Sequence, residues 1–173
     1  MKIVSIFTVK LFSFHYPGEK LNELRRLLNC WNDTEYIYNF LKENKSDIQN
    51  KTIEELAELI IYDAHEIDIS LHKLSKSDSI TFESFFKPLD NKEYSLQLLS
   101  PQKGRRHCLR IYALKIDANC FVITGGAIKL NHLMEDREHT QKELQKIKKC
   151  QQFLKNNSIH DSESFYEFII EQQ

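Results

Sequence analysis

Glycine is scarce in this chain, four in 173 residues, and none stands in a phosphate-loop or dinucleotide fingerprint. Those folds need glycine where the backbone approaches phosphate, so most nucleotide-binding readings fall away. No His-Glu-x-x-His or G-x-S-x-G run is present, which removes the corresponding metalloprotease and hydrolase readings. The four cysteines, Cys30, Cys108, Cys120 and Cys150, lie far apart without a C-x-x-C pair, a pattern that suits neither a zinc site nor a disulfide scaffold. They are expected as reduced thiols, and no local pattern marks one as a nucleophile. His65 and His72 share a helical face at a spacing of seven, whereas metal-binding pairs stand three or four apart. No metal or other cofactor is expected. No apolar run approaches the ~20 residues of a membrane span, and the start reaches Lys10 before a signal-peptide core can form. The expected place is the cytoplasm, with no membrane partner. Internal repeats and low-complexity tracts are also lacking.

What is present is core material. Hydrophobic residues make up 41% of the chain, charged ones 28%, and eleven Phe with seven Tyr supply bulk. That composition and length predict one domain over 1–173 with a real hydrophobic core. The net charge of −1 hides an asymmetry: residues 1–90 hold 11 Lys/Arg against 15 Asp/Glu, and residues 91–173 hold 13 against 10. The front is acidic and the back basic.

Hydrophobic spacing predicts an α+β fold. The β-branched and aromatic run Ile3–Tyr16, closed by Pro17-Gly18, reads as one N-terminal strand. A helical segment follows over 20–78: Leu21, Leu24, Leu27, Leu28 and Trp31 recur at helical spacing, and Asn32-Asp33-Thr34 offers caps for a second helix. Thr52 with Glu55 matches a capping box opening a long third helix, whose apolar stripe runs from Ile53 to Leu74. An antiparallel sheet is expected over 93–130 as a three-stranded meander: Tyr94–Leu99 stopping at Pro101, then His107–Ile116, then Cys120–Thr124. Gly125-Gly126 within the last strand signals a bulge or a close backbone approach. Helices return over 136–171. Strand, helices, strands and helices in that order make segregated elements.

Chemistry must then rest on scattered side chains. Lys103, Arg105 and Arg106 sit in the connection before the central strand, where guanidinium forks and an ammonium can hold phosphates or can merely keep a turn solvated. Arg110 stands within a strand among apolar neighbours, so it needs a partner, either a structural carboxylate or a ligand phosphate. Lys129 follows the glycine pair at the end of the last strand, and His132 lies close behind it as a candidate proton-transfer group.

The run Leu109-Arg110-Ile111-Tyr112-Ala113-Leu114, the next strand Phe121-Val122-Ile123-Thr124-Gly125-Gly126-Ala127-Ile128-Lys129 and the helix start Thr140-Gln141-Lys142-Glu143-Leu144 resemble the RelE/ParE/HigB superfamily of bacterial toxins. The resemblance is strongest over about 93–156. It implies the toxin of a type II toxin–antitoxin pair, most often a metal-independent endoribonuclease that cuts messenger RNA at the ribosome. The implied partners are a cognate antitoxin of helix-turn-helix type, messenger RNA and the ribosome. By position, Arg110 matches the family's strand arginine and Lys129 its terminal lysine, while Lys103, Arg105 and Arg106 match its habit of basic residues around that strand. His132 is added here as an acid/base candidate, with Tyr166 as a further one in the last helix. Two features depart from the pattern. The segment 20–78 exceeds the family's two-helix hairpin, and some family members poison DNA gyrase without the nuclease residues. The alternatives are thus a toxin or binding module acting on a protein such as gyrase, or a mobile-element protein without toxicity.

Overall fold

A computed structural model describes residues 1–89, 99–130 and 138–172. Over these residues the chain is a mixed α/β structure of five α-helices and a six-stranded mixed sheet. The opening β-rich run corrects the first expectation. It is a hairpin rather than one strand, with β1 (Lys2–Thr8) paired antiparallel to β2 (Leu11–His15). Neither glycine nor proline marks the fold-back at Val9–Lys10. Side chains close it: the Ser5 hydroxyl donates to the Thr8 carbonyl at 2.7 Å, and the Thr8 hydroxyl accepts from the Lys10 N–H at 3.2 Å. Such local bonds offer the backbone an alternative to the ladder.

The helical segment follows its capping signals. Helix α1 (Glu23–Asn32) has Asn22 as N-cap, and α2 (Thr34–Glu43) has Asp33, whose carboxylate accepts from the Glu35 and Tyr36 N–H groups. The capping box of α3 (Ile53–Lys76) is complete: Thr52 accepts from Glu55 N–H at 3.1 Å while the Glu55 carboxylate accepts from Thr52 N–H at 2.8 Å.

The expected meander is offset. Most of the strand placed at Tyr94–Leu99 lies outside the described residues, and Leu99 itself has a left-handed φ of 59°. The described strands are a two-residue β3 (Lys87–Pro88), then β4 (Pro101–Arg106), β5 (Leu109–Asp117) and β6 (Cys120–Ile128). Pro101, taken as a stop, is a start, because a first strand residue can spare its N–H. Lys103–Arg106 is therefore strand, not connection. The sheet order is β1-β2-β6-β5-β4-β3, antiparallel except where β2 runs parallel to β6. The intervening chain, with α1 to α3, supplies the long connection that a parallel pair requires.

Helices lie on both faces, which replaces the segregated plan. Leu109, Ile111, Ala113, Phe121 and Ile123 join Leu27, Trp31, Ile60, Ala64 and Ile67 in one core under α1–α3. On the other face Tyr112, Leu114 and Val122 pack with Ile147, Cys150 and Leu154 of α4 (Glu138–Asn156) and Phe165 of α5 (Ser162–Glu171). Strands covered on both sides lose the polar alternation of an exposed sheet, which explains why β6 reads as nearly continuous apolar sequence.

The glycine pair of β6 serves close approach from both faces. A side chain at Gly125 would overlap the Glu143 carboxylate, and one at Gly126 would meet the Arg110 carbonyl at 2.7 Å, Leu27 at 2.8 Å and Trp31 at 3.0 Å. Gly126 is the tighter case, since backbone cannot step aside as a flexible side chain can. Gly126→Ala is expected to destabilise the fold by about 1–3 kcal/mol through overpacking. Urea titration should show a lower midpoint with an unchanged slope; an unchanged midpoint would show that the helix can move away.

Candidate functional site

The turn His107–Cys108 joins β4 to β5, and strand alternation sorts the basic residues around it. Leu109, Ile111 and Ala113 face the α1–α3 core, so Arg110 and Tyr112 face the other way. Cross-strand register places Arg105 opposite Arg110, Lys103 opposite Tyr112 and Ala127 opposite Arg110. Lys103, Arg105 and Arg110 thus share the α4-side face, and Lys129 stands just beyond β6 at the same end. Its N–H donates to the Cys108 carbonyl at 2.6 Å.

Arg110 is half-buried, and one guanidinium nitrogen donates to two carbonyls, His107 at 2.6 Å and Leu109 at 2.8 Å. Neither partner neutralises its charge. Among the described residues, no carboxylate lies within ion-pair distance of Arg105 or Arg110. Burial lowers the Arg110 pKa, and nearby Arg105 lowers it further. The Lys129 pKa is likewise lowered, by burial first and then by Arg110 and Lys103. Like charges thus act against both Arg110 and Lys129.

Arg106 does not belong to this group. Alternation turns it to the opposite face, where it pairs with Asp63 at 3.2 Å and Glu66 at 3.3 Å on α3 and lies over the Tyr62 ring at 5.6 Å. His132 lies outside the described residues. Tyr166 is at the far end of the sheet: its hydroxyl donates to the Val9 carbonyl at 3.2 Å, and burial followed by Cys120 raises its pKa. The residue that sequence reading passed over is His107. Its Nδ1 lies 2.8 and 2.9 Å from the two oxygens of Asp63, which is fully buried. Asp63 sits inside an apolar helix stripe, and that placement was the available signal, since a buried carboxylate must find partners.

A polar network adjoins the cationic face through Tyr112. Strand β2 pairs with β6 over Phe121–Ile123, and charged side chains of α1 and α4 meet nearby. Glu23, almost wholly buried, receives a bidentate fork from Arg26 at 2.8 and 2.9 Å and an ion pair from Lys146. Lys146 also approaches Glu143 at 3.4 Å and stands over the Tyr16 ring. Tyr16 donates to the Thr124 carbonyl at 2.5 Å and contacts the Cys150 sulfur at 3.1 Å. Burial holds the Cys108, Cys120 and Cys150 thiols up at about 11, 12 and 11, so they carry little thiolate near neutrality.

Comparison with protein-family models, curated proteins and solved structures finds no match to this chain. The site is therefore read from its own geometry. Among the described residues no group of three or more His, Cys, Asp or Glu side chains is placed to hold a metal, and no helix is long and apolar enough to cross a membrane.

Burial raises the Glu143 pKa, Glu23 adds to the shift, and Lys146 and Arg26 oppose it. One Glu143 oxygen is buried without a hydrogen-bond partner. In the folded protein this carboxyl keeps its proton to higher pH than in the unfolded chain. Its stabilising contribution is complete below the ordinary carboxylate range and is lost as pH rises through the raised value. Thermal melts from about pH 4 to 7 should show this loss in the wild type and a flatter curve for Glu143→Gln. Parallel curves would mean that Glu143 ionises as it does in the unfolded chain.

Proposed function

We propose that the protein is the toxin of a type II toxin–antitoxin system and acts as a RelE-like, metal-independent endoribonuclease on messenger RNA at the ribosome. The observation that carries this reading is the Arg105–Arg110 cross-strand pair, two like charges on facing strand positions with no carboxylate among the described residues in ion-pair contact with either. Such a pair costs stability in the free protein. A phosphodiester between them turns that cost into two charge-assisted contacts. Lys103 and Lys129 extend the surface to phosphates on either side, as a single-stranded polyanion requires.

In the proposed reaction the 2′-hydroxyl attacks the adjacent phosphorus. Arg110 and Arg105 stabilise the charge that grows on the non-bridging oxygens. The products are a 2′,3′-cyclic phosphate and a 5′-hydroxyl. The resemblance of residues 93–156 adds to this reading, but fold alone does not carry activity, and the guanidinium pair is the firmer support. A cognate antitoxin of helix-turn-helix type would silence the protein by covering this face. Arg106, bound to α3, is assigned no phosphate.

Message ends mapped after induction test the proposal. Wild type should produce new ends with cyclic phosphates, and Arg110→Ala should reduce them about 100- to 1,000-fold, the range for losing one preorganised charge-stabilising group. Arg105→Ala should also lower the salt dependence of RNA binding by about one phosphate contact. Growth arrest with intact messages and cleaved plasmid DNA would overturn the nuclease reading in favour of a gyrase target.

A further inference from the structure

Holding a phosphate does not move a proton, and the guanidiniums and ammoniums of the cationic face are poor bases. We infer that His107 is the general base of the proposed cleavage and that Asp63 on α3 is its positioning residue; this rests on the endoribonuclease reading. Three independent features of the turn point to it.

The first is the hydrogen-bond pattern. Both Asp63 oxygens lie near Nδ1, at 2.8 and 2.9 Å, and a carboxylate can only accept. Nδ1 therefore carries the hydrogen, and the neutral ring keeps its lone pair on Nε2. A buried carboxylate that fixes the tautomer and aim of an imidazole is the arrangement by which hydrolytic enzymes prepare a base. The second is exposure. Asp63 is fully buried, yet the His107 side chain is 57% exposed, so the anchored ring presents its free edge to solvent. The third is the turn itself. His107 has φ 39°, the left-handed conformation that a two-residue hairpin takes at its first turn position, so the ring leaves the rim from a fixed backbone.

The turn also ties His107 to the phosphate-holding group through its main chain. Arg110 donates to the carbonyl of His107 itself at 2.6 Å, so the guanidinium and the imidazole are attached to one rigid rim of the sheet. The charged groups around the turn are Asp63, which meets the His107 ring, Arg106, which shares Asp63 and reaches Glu66, and Arg110, which donates to the His107 main chain. In the step, Nε2 accepts the proton of the 2′-hydroxyl as the O2′–P bond forms. The P–O5′ bond breaks, the leaving 5′-oxygen takes a proton from water, and His107 returns its own proton to solvent.

His107→Gly is the informative variant, because glycine suits the positive φ and leaves a space that free imidazole can enter. In a translation reaction containing ribosomes, it should cleave messages about 100- to 10,000-fold more slowly than wild type. It should still co-sediment with messenger-loaded ribosomes, and added imidazole should restore part of the rate. The wild-type pH profile should show a limb that His107→Gly lacks. If wild type cleaves and His107→Gly cleaves within about threefold of it, His107 is not the base and the endoribonuclease reading stands. Joint loss of binding and cleavage without imidazole rescue would assign His107 a structural role and overturn the inference. A wild-type protein that leaves messages intact would overturn the endoribonuclease reading itself.

Discussion

The burial of Glu23 is the constraint around which the two helical layers are arranged. A carboxylate taken out of water is costly unless charges and hydrogen bonds replace the lost solvation. Here Arg26 replaces it from the same helix and Lys146 from α4 on the other side of the sheet. The ion pair thus joins a helix from each layer. One buried charge therefore fixes the position of α4 relative to α1. It also fixes Glu143 and Lys146 over Gly125, since their side chains depart from the same helical turn.

The two sides of the β4–β5 hairpin illustrate opposite uses of positive charge. On the α3 side, Arg106 and His107 converge on the buried Asp63, and Glu66 completes the group. Arg106 in this group is a neutralised anchor that holds the hairpin tip against the longest helix, while the His107 side chain stays 57% exposed beside it. On the α4 side, Arg105 and Arg110 stand opposite each other with no carboxylate among the described residues to balance them. The anchor makes that imbalance tolerable, because a tip tied to α3 cannot twist away to relieve repulsion. Arg105, Arg106 and Arg110, close together in sequence, thus divide into one neutralised residue and two that no described carboxylate balances, and strand alternation makes the division.

Much of the framework was legible in the sequence where local chemistry decides structure. Thr52 with Glu55, Asp33 before Thr34, and the apolar stripe of α3 each act within a few residues, and each forms as read. The glycine pair was also legible as a place of close approach. What escaped depends on partners distant in sequence. The break at Val9–Lys10 is made by hydroxyl groups rather than by turn residues, and the start of β4 at Pro101 depends on its neighbours in the sheet. Arg105 and Arg106 look alike in the chain, and their different fates follow from a strand phase set by pairing with β5. His107 gained meaning only when α3 placed Asp63 beside it, from 44 residues away.

The glycine pair links framework to site. Gly126 lets the Arg110 carbonyl come close to β6, and the same register sets Ala127 opposite Arg110. Alanine at that opposite position leaves room above the sheet for a guanidinium to curl back to the His107 and Leu109 carbonyls. A larger residue there would force Arg110 outward and disperse the charge. The small residues of β6 thus serve two ends at once. They admit the helices that bury the core, and they leave one half-buried arginine on the sheet, bonded to two main-chain carbonyls.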